Sequence, residues 1–363
     1  MNKKIKALIV VGGTGGHVFP GINLASALIK KNYSVKIVTD KRGYKFFKET
    51  DKKNVLVFPS SPLIKKNVVL LIFSLSLILY SILRSLIFLS YNRPSIIFGM
   101  GGYASFPICI AAAILRIKFI IYENNLIIGR ANKKLLPFAE RILVSNKKLE
   151  GISSKYNFKT VEVGNIIKRE IINFSLNLRI KKKELKILVL GGSQAAKIFA
   201  EILPKIFKKC SDIGISIKII QQCLPHQNRE LSSFYQKSNI KHELFNFSEN
   251  LVKFFSKVNL AITRSGSSVL AELTNANIPF ITIPLPSSVD DHQLKNANFY
   301  KNKNLSFLVE EKDLNDKLSK LLKKIHENMS KLYEISANQR QYSDKHVYEN
   351  IDKELNKILN EKN

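Results

Sequence analysis

Short, unbroken runs of apolar residues recur along this chain, and between them the apolar positions space out at intervals of three and four. The first run, residues 5–11, ends in four glycines within five positions. A run that is apolar without alternation predicts a strand covered on both faces, as in a parallel sheet. Runs at 35–38, 55–58, 96–98, 119–122 and 142–144 predict the rest of a first sheet. Runs at 187–190, 215–220, 258–262, 280–284 and 306–309 predict a second. Helical segments lie between them, the first at 22–29 just past Pro20, so the pattern is one of βαβ units in two doubly wound α/β domains. A chain of 363 residues accommodates two such cores. The polar, lysine-rich stretch 173–186 predicts the linker, and the tail from Asp313 onward predicts charged helices.

One stretch departs from this rhythm. Residues 68–90 are apolar at nearly every position and carry one charge, Arg84. That is long enough for a membrane span. A span would put the strands before and after it on opposite sides of a bilayer, and the first sheet could not form. Ser74, Ser81 and Ser85 fall on one helical face. The expectation is therefore a helix that covers the sheet and leaves an apolar strip, with Leu75, Leu79, Leu83 and Phe88, for a membrane surface.

Composition adds an anionic partner. Lys and Arg number 58 against 28 Asp and Glu, a net charge of +30. Basic flanks to an apolar helix suit anionic headgroups. No nucleic-acid-binding module is visible, so no nucleic-acid partner is expected. Part of the charge reflects a chain rich in Lys, Asn and Ile throughout. Cys109, Cys210 and Cys223 are scattered, which predicts neither a disulfide framework nor a cysteine zinc site. The apolar N-terminal run is short and breaks into glycines, so it reads as a first strand and not a signal peptide.

The chemistry concentrates where predicted strands end. GGTGGHVFPG (12–21), GMGGYASFP (99–107) and GGSQAAKIF (191–199) each follow a strand. Such loops bring bare backbone N–H groups and a helix N-terminus to a phosphate. His17, at the mouth of the first loop, is a candidate acid–base residue. Glu123, Asn124 and Asn125 close another strand. RSGSSVLAEL (264–273) again runs from a strand through a glycine–serine turn into a helix, and Glu272 is placed to accept both hydroxyls of a ribose. Asp290, Asp291 and His292 lack metal-ligand spacing. There is no Asp-x-Asp anywhere, so no metal and no cofactor are expected.

These four motifs, with DDHQLKNA (290–297) following the last, resemble the MurG family of glycosyltransferases, in glycosyltransferase family 28. The resemblance runs from residue 12 to 297. It implies the GT-B fold, two Rossmann-like doubly wound parallel-sheet domains facing across a cleft. It implies an N-terminal acceptor-binding, membrane-docking domain at 1–168, with a C-terminal helix at about 335–363 packing back on it. A linker at 169–185 and a C-terminal UDP-sugar domain at 186–334 follow. The activity implied is inverting transfer of N-acetylglucosamine from UDP-N-acetylglucosamine to the 4-hydroxyl of undecaprenyl-diphosphate-linked muramoyl-pentapeptide. The location implied is the cytoplasmic face of the bacterial inner membrane, as a peripheral protein.

The resemblance also implies site residues. Ser193 and Gln194 would contact the diphosphate, Arg264 and Ser267, Ser268, Val269, Leu270 and Ala271 the nucleotide, and Glu272 the ribose. Ser248, beside Phe247, would bracket uracil, and Gln293 would reach the sugar. Thr14, Gly15, Gly16, Asn125 and Lys168 would complete the donor site. Gly13, Gly101, Gly102 and Tyr103 would hold the acceptor's diphosphate. His17 is the first candidate base and Glu123 the second. The chain departs from the family at Lys168, where an Arg is common, which keeps the charge and loses the guanidinium fork. It departs again at Val269, where a Thr is common. Ala195 and Ala196 stand where the glycine-loop motif varies. Four other classes share parts of this pattern: diacylglycerol glycosyltransferases, UDP-N-acetylglucosamine 2-epimerases, dinucleotide oxidoreductases and a non-catalytic nucleotide-binding adaptor. For an oxidoreductase, Asp40 stands at the ribose-binding position, but the third glycine is missing at Val18.

Overall fold

The computed structural model describes residues 4–13, 15–62, 67–176, 178, 183–248 and 250–360, without the side chains of 193–196 and 289. Its residues cluster into two compact units, Met1–Ile167 with Asp344–Asn363, and Lys168–Ser343.

The first unit is built on β1 (Lys6–Val10), β2 (Ser34–Thr39), β3 (Val55–Val57), β4 (Ile96–Gly99), β5 (Phe119–Glu123), β6 (Arg141–Val144) and β7 (Thr160–Glu162). All pairings are parallel and the order is β3-β2-β1-β4-β5-β6-β7. The central strands are apolar throughout because helices cover both faces: β4 and β5 are buried at every residue. The chain leaves β1 for β2 and returns on the other side of β1 as β4. The carboxyl ends of β1 and β4 are therefore the switch point, where such sheets bind ligands. The C-terminal helix Val347–Asn360 belongs to this unit. Tyr348 Oη donates to Ile167 O at 2.7 Å, Lys118 Nζ to Ile358 O at 3.0 Å, and Asp344 accepts from Asn165 N at 2.7 Å.

The second unit carries β8 (Leu185–Leu190), β9 (Ile217–Gln222), β10 (Lys241–Phe245), β11 (Leu260–Thr263), β12 (Phe280–Thr282) and β13 (Phe307–Leu308). They pair in parallel in the order β10-β9-β8-β11-β12-β13. Its switch point lies between β8 and β11. The two expected sheets are present, each with one strand that hydrophobic patterning does not reveal. β7 is Thr-Val-Glu and β10 is Lys-His-Glu-Leu-Phe, both without a fully buried residue. Each is an edge strand, so no continuous apolar run is demanded of it.

Helix Val68–Tyr91 inverts the usual amphipathic order. Asn67 caps it, accepting from Leu70 N at 2.8 Å. Its buried residues are Ser74, Ser81, Ser85 and Leu89. The serine hydroxyls are satisfied on the backbone: Ser74 by Leu71 O at 2.9 Å, Ser85 by Ser81 O at 2.6 Å, and Ser81 by Pro59 O. Small side chains let this helix lie close against helix Ser105–Ile114 and the unit's core. The large side chains point outward. Leu75, Leu79 and Leu83 are 50%, 58% and 52% exposed, among Val69, Ile72, Phe73, Ile87 and Tyr91. Phe88 instead packs edge-on against Phe58 at 5.4 Å, because it falls on the same helical face as Ser81 and Ser85. The helix is long and apolar enough to cross a membrane, with mean hydropathy 2.1. However, β3 before it and β4 after it lie in one sheet, which holds both its ends on one side.

Candidate active site

At the first switch point two glycine loops interlock. Gly102 (φ +79°) sits so near the β1 loop that a Cβ on it would lie 2.7 Å from Gly12 O. A Cβ on Gly101 (φ +93°) would lie 2.9 Å from the His17 ring. Glycine at these positions lets the loops touch backbone to backbone and lets His17 stand beside them. Gly13, Gly101, Gly102 and Tyr103 thus belong to one mouth. Thr14 lies outside the described residues.

The helix behind this mouth is Gly15–Lys30, beginning well before the expected 22–29, with Pro20 inside it. A proline there has no N–H for the carbonyl four residues back, Gly16 O. Asn124 Nδ2 donates to that oxygen at 2.8 Å. A loop at the end of β5 thereby completes the first turn of the helix that carries His17. Glu123 fixes this loop. Its Oε1 accepts from Asn125 N (3.1 Å) and Nδ2 (3.0 Å), and its Oε2 from Gly129 N (2.9 Å) and Asn132 Nδ2 (3.0 Å). The carboxylate is buried and both oxygens are engaged, so Asn125 is held by Glu123 next to Asn124.

Asp40, the oxidoreductase-like acid at the end of β2, is also engaged by protein. It is the N-cap of helix Lys41–Tyr44, accepting from Arg42 N (3.0 Å) and Gly43 N (2.8 Å). It also accepts from Ser60 Oγ (2.9 Å), Gly13 N (3.4 Å) and the Arg42 guanidinium. Burial raises its pKa, but the hydrogen bonds from Gly43, Arg42 and Ser60 outweigh it and hold the carboxyl below its ordinary value. No oxygen is left for a ribose.

In the second unit, helix Gly192–Asp212 follows β8. Gly192 N donates to Gln222 Oε1 at 3.1 Å, and Gln222 Nε2 donates to Asn246 O at 3.1 Å. One amide at the end of β9 therefore ties the loop after β8 to the loop after β10, where Phe247 is 62% exposed. Ser248 Oγ, in the same loop, donates to Asn250 O at 3.0 Å. The side chains of Ser193 and Gln194 lie outside the described residues. Gln222 has no motif around it in the sequence; only its position at a strand's carboxyl end marks it.

The loop after β11 is held by helix His292–Asn302, which follows β12. Gln293 Oε1 accepts from Ser265 N (3.2 Å) and Leu285 N (3.0 Å), and Asn296 Nδ2 donates to Ser265 O at 3.1 Å. Gly266 then leads into helix Ser267–Asn275, whose first turn carries no acid. Ser267, Leu270 and Ala271 are buried, while Ser268 and Val269 are partly exposed. Arg264 turns inward. Its guanidinium lies 4.9 Å from the Phe199 ring, donates to Ile283 O and Pro284 O at 3.2 and 3.3 Å, and pairs with Glu311. Glu272 is partly exposed. Burial pushes its carboxyl up to about 7, against the pull of Lys168. Lys168 thus reaches the field of the ribose candidate through helix Arg169–Ile172, which packs on helix Ser267–Asn275. Asp290 and Asp291 both have positive φ (51° and 55°), turning the chain sharply into helix His292–Asn302. Among the described residues no three His, Cys, Asp or Glu side chains gather as a metal ion would require.

Comparison with known proteins covers both units. The glycosyltransferase family 28 N-terminal domain matches residues 7–144, and the glycosyltransferase family 28 C-terminal domain matches 186–352. A protein of Pelagibacter ubique is 31% identical over 99% of this chain and 100% of its own length. One of Francisella tularensis is 33% identical over 99% of both. Each carries the name UDP-N-acetylglucosamine--N-acetylmuramyl-(pentapeptide) pyrophosphoryl-undecaprenol N-acetylglucosamine transferase. Among solved structures, Acinetobacter baumannii MurG superposes with a TM-score of 0.77 at 23% identity, over 97% of this chain and 99% of that one. A UDP-N-acetylglucosamine 2-epimerase of Listeria monocytogenes superposes at 0.67 and 12% identity, over 99% and 98%. At these identities the superpositions establish the shared two-sheet fold.

Proposed function

This chain belongs to glycosyltransferase family 28, and from that premise we propose that it transfers N-acetylglucosamine from UDP-N-acetylglucosamine to the 4-hydroxyl of undecaprenyl-diphosphate-linked N-acetylmuramoyl-pentapeptide. The observation that carries the reading is end-to-end identity of 31–33% with relatives named for this one reaction. The reaction belongs to peptidoglycan synthesis.

In the mechanism, the acceptor's 4-oxygen attacks the anomeric carbon in line and forms the new C–O bond with inversion. The bond from that carbon to the UDP β-phosphate oxygen breaks, and the electron pair leaves with UDP. His17 takes the hydroxyl proton; its place beside the interlocked glycine loops supports that role. Glu123, with four donors on its oxygens, acts as the group that positions Asn124 and Asn125. The acceptor's diphosphate lies at Gly13, Gly101, Gly102 and Tyr103. The second unit holds the donor: Glu272 and Lys168 at the ribose, Ser267 to Ala271 through their backbone, Ser248 near uracil, Gln293 toward the sugar. Arg264 serves by fixing the loop on which these residues stand. Helices Gly192–Asp212 and Ser267–Asn275 present their N-termini to the charge that develops on departing UDP. The outward face of helix Val68–Tyr91 docks on the cytoplasmic surface of the inner membrane, which holds the acceptor's polyprenyl tail.

The test is transfer of radiolabelled N-acetylglucosamine to a short-chain acceptor analogue with EDTA present. Label partitioning with the lipid supports donor, acceptor and metal independence together. Transfer to diacylglycerol instead, or acceptor-free conversion of the UDP-sugar to its 2-epimer, overturns the reading.

A further inference from the structure

The mouth formed by the two glycine loops includes a cation that no motif marks. Arg42 follows β2, and its side chain is 53% exposed. Its guanidinium lies over the Tyr103 ring, 5.8 Å from the centroid, and its Nη2 is 3.9 Å from where a Gly13 Cβ would be. One residue therefore borders both loops. Asp40, itself 3% exposed, holds the guanidinium from one side: Nε and Nη2 donate to Oδ2 at 3.1 and 2.6 Å. An arginine has five N–H donors in a fixed fork. Side-on pairing through Nε and Nη2 engages two of them. It leaves the end-on edge, both Nη1 hydrogens and the second on Nη2, without a protein acceptor among the described residues. Helices Gly15–Lys30 and Ser105–Ile114 begin at the mouth with no acid in their first turns. Among the described residues, Asp40 and Glu123 are the acids near the mouth: Arg42 neutralises Asp40, and both Glu123 oxygens are engaged by donors.

We infer that Arg42 is the side chain that grips the acceptor's diphosphate, with Asp40 setting the angle of its fork. The inference rests on the function proposed above. End-on pairing with two phosphate oxygens is the geometry a guanidinium makes best, and a lysine cannot reproduce it. Backbone N–H groups of the glycine loops supply direction, and Arg42 supplies the full charge. The residue is thus a determinant of acceptor choice: it favours a diphosphate-linked sugar over the same sugar on a neutral linker.

The experiment measures steady-state kinetics of the full chain with a short-chain diphosphate acceptor and with an analogue whose diphosphate is replaced by a neutral linker. Arg42→Gln should raise KM for the diphosphate acceptor by about 10- to 100-fold, the worth of a bidentate charged contact. KM for UDP-N-acetylglucosamine should stay unchanged, and the neutral acceptor should show no difference between wild type and variant. Arg42→Lys should fall between the two. Arg42→Gln leaves the buried Asp40 carboxylate uncompensated, so the Asp40→Asn/Arg42→Gln double variant accompanies it. If the double variant keeps the raised acceptor KM, the direct contact stands. If it returns to the wild-type value, Arg42 only neutralises Asp40 and the inference is overturned, as it is if Arg42→Gln leaves acceptor KM unchanged. Failure of the wild type to glycosylate the diphosphate acceptor would instead count against the proposed function.

Discussion

With Glu272 at the ribose as proposed, donor affinity should depend on pH in a range where most carboxylates are silent. Its pKa stands near 7 against an ordinary 4.5, raised by burial and restrained by Lys168. Accepting two ribose hydroxyls requires the ionised form, since a protonated carboxyl offers one good acceptor and one donor. With a pKa near 7, about 90% is ionised at pH 8 and about 10% at pH 6. Donor affinity should therefore fall about tenfold, roughly 1.4 kcal/mol, between those values. UDP-N-acetylglucosamine is the right probe, because both its phosphates are diesterified and neither titrates in this window. Calorimetric titration without acceptor reads the effect directly. Glu272→Gln should bind weakly at both pH values with no slope, and Lys168→Ala should move the fall to higher pH. The same group has a stability signature. A carboxyl whose pKa is higher folded than unfolded destabilises the fold above pH 7, and the effect vanishes once both states are protonated, below pH 4.5. Glu272→Gln should raise Tm at pH 8 and leave it unchanged at pH 4. A wild-type affinity that is flat from pH 6 to 8, or the same slope in Glu272→Gln, would refute the reasoning.

Three further outcomes follow from the geometry. Changing Leu75, Leu79 and Leu83 together to Ser should weaken co-sedimentation with phosphatidylglycerol vesicles about 100-fold. Each half-exposed leucine contributes about 1 kcal/mol to burial in lipid; Tm should stay put, whereas Ser81→Leu should cost about 1–3 kcal/mol of stability by overpacking and leave vesicle binding intact. Asn124→Ala should destabilise by about 1–2 kcal/mol, and adding Pro20→Ala, which restores an N–H for Gly16 O, should recover part of it in a double-mutant cycle. Gln222→Ala should raise the Kd for UDP-N-acetylglucosamine about tenfold, as two loops lose their shared tie, with acceptor KM unaffected.

The sheets could be read from the sequence wherever a strand is buried on both faces, because only a continuous apolar run satisfies that environment. β7 and β10 escaped for the converse reason: an edge strand is half in water and its composition is free. The serine stripe at 74, 81 and 85 was legible as one face, and it is the face turned inward. The start of helix Gly15–Lys30 was not legible, since Pro20 normally ends or opens a helix; the compensating donor, Asn124, lies 108 residues away in sequence. Long-range ties of that kind leave no local periodicity. Arg264 shows the same limit, because a cation beside a glycine–serine loop looks the same in sequence whether it turns toward a phosphate or toward Glu311. Arg42 just past β2 and Gln222 at the end of β9 lie beside a switch-point strand through sheet order alone, with no motif to mark them.

The inside-out helix also bears on how the chain is made. During synthesis, residues 68–91 emerge as an apolar segment that an insertion machinery would accept, with nothing in its own hydropathy to refuse it. β1, β2 and β3 precede it, and β4, which must lie beside β1, is translated after it. If the helix entered the bilayer first, β4 would be delivered to the wrong compartment. β4 can pair with β1 only once the helix between them has been made, so the pairing that keeps both helix ends on one side is completed after the apolar segment has emerged.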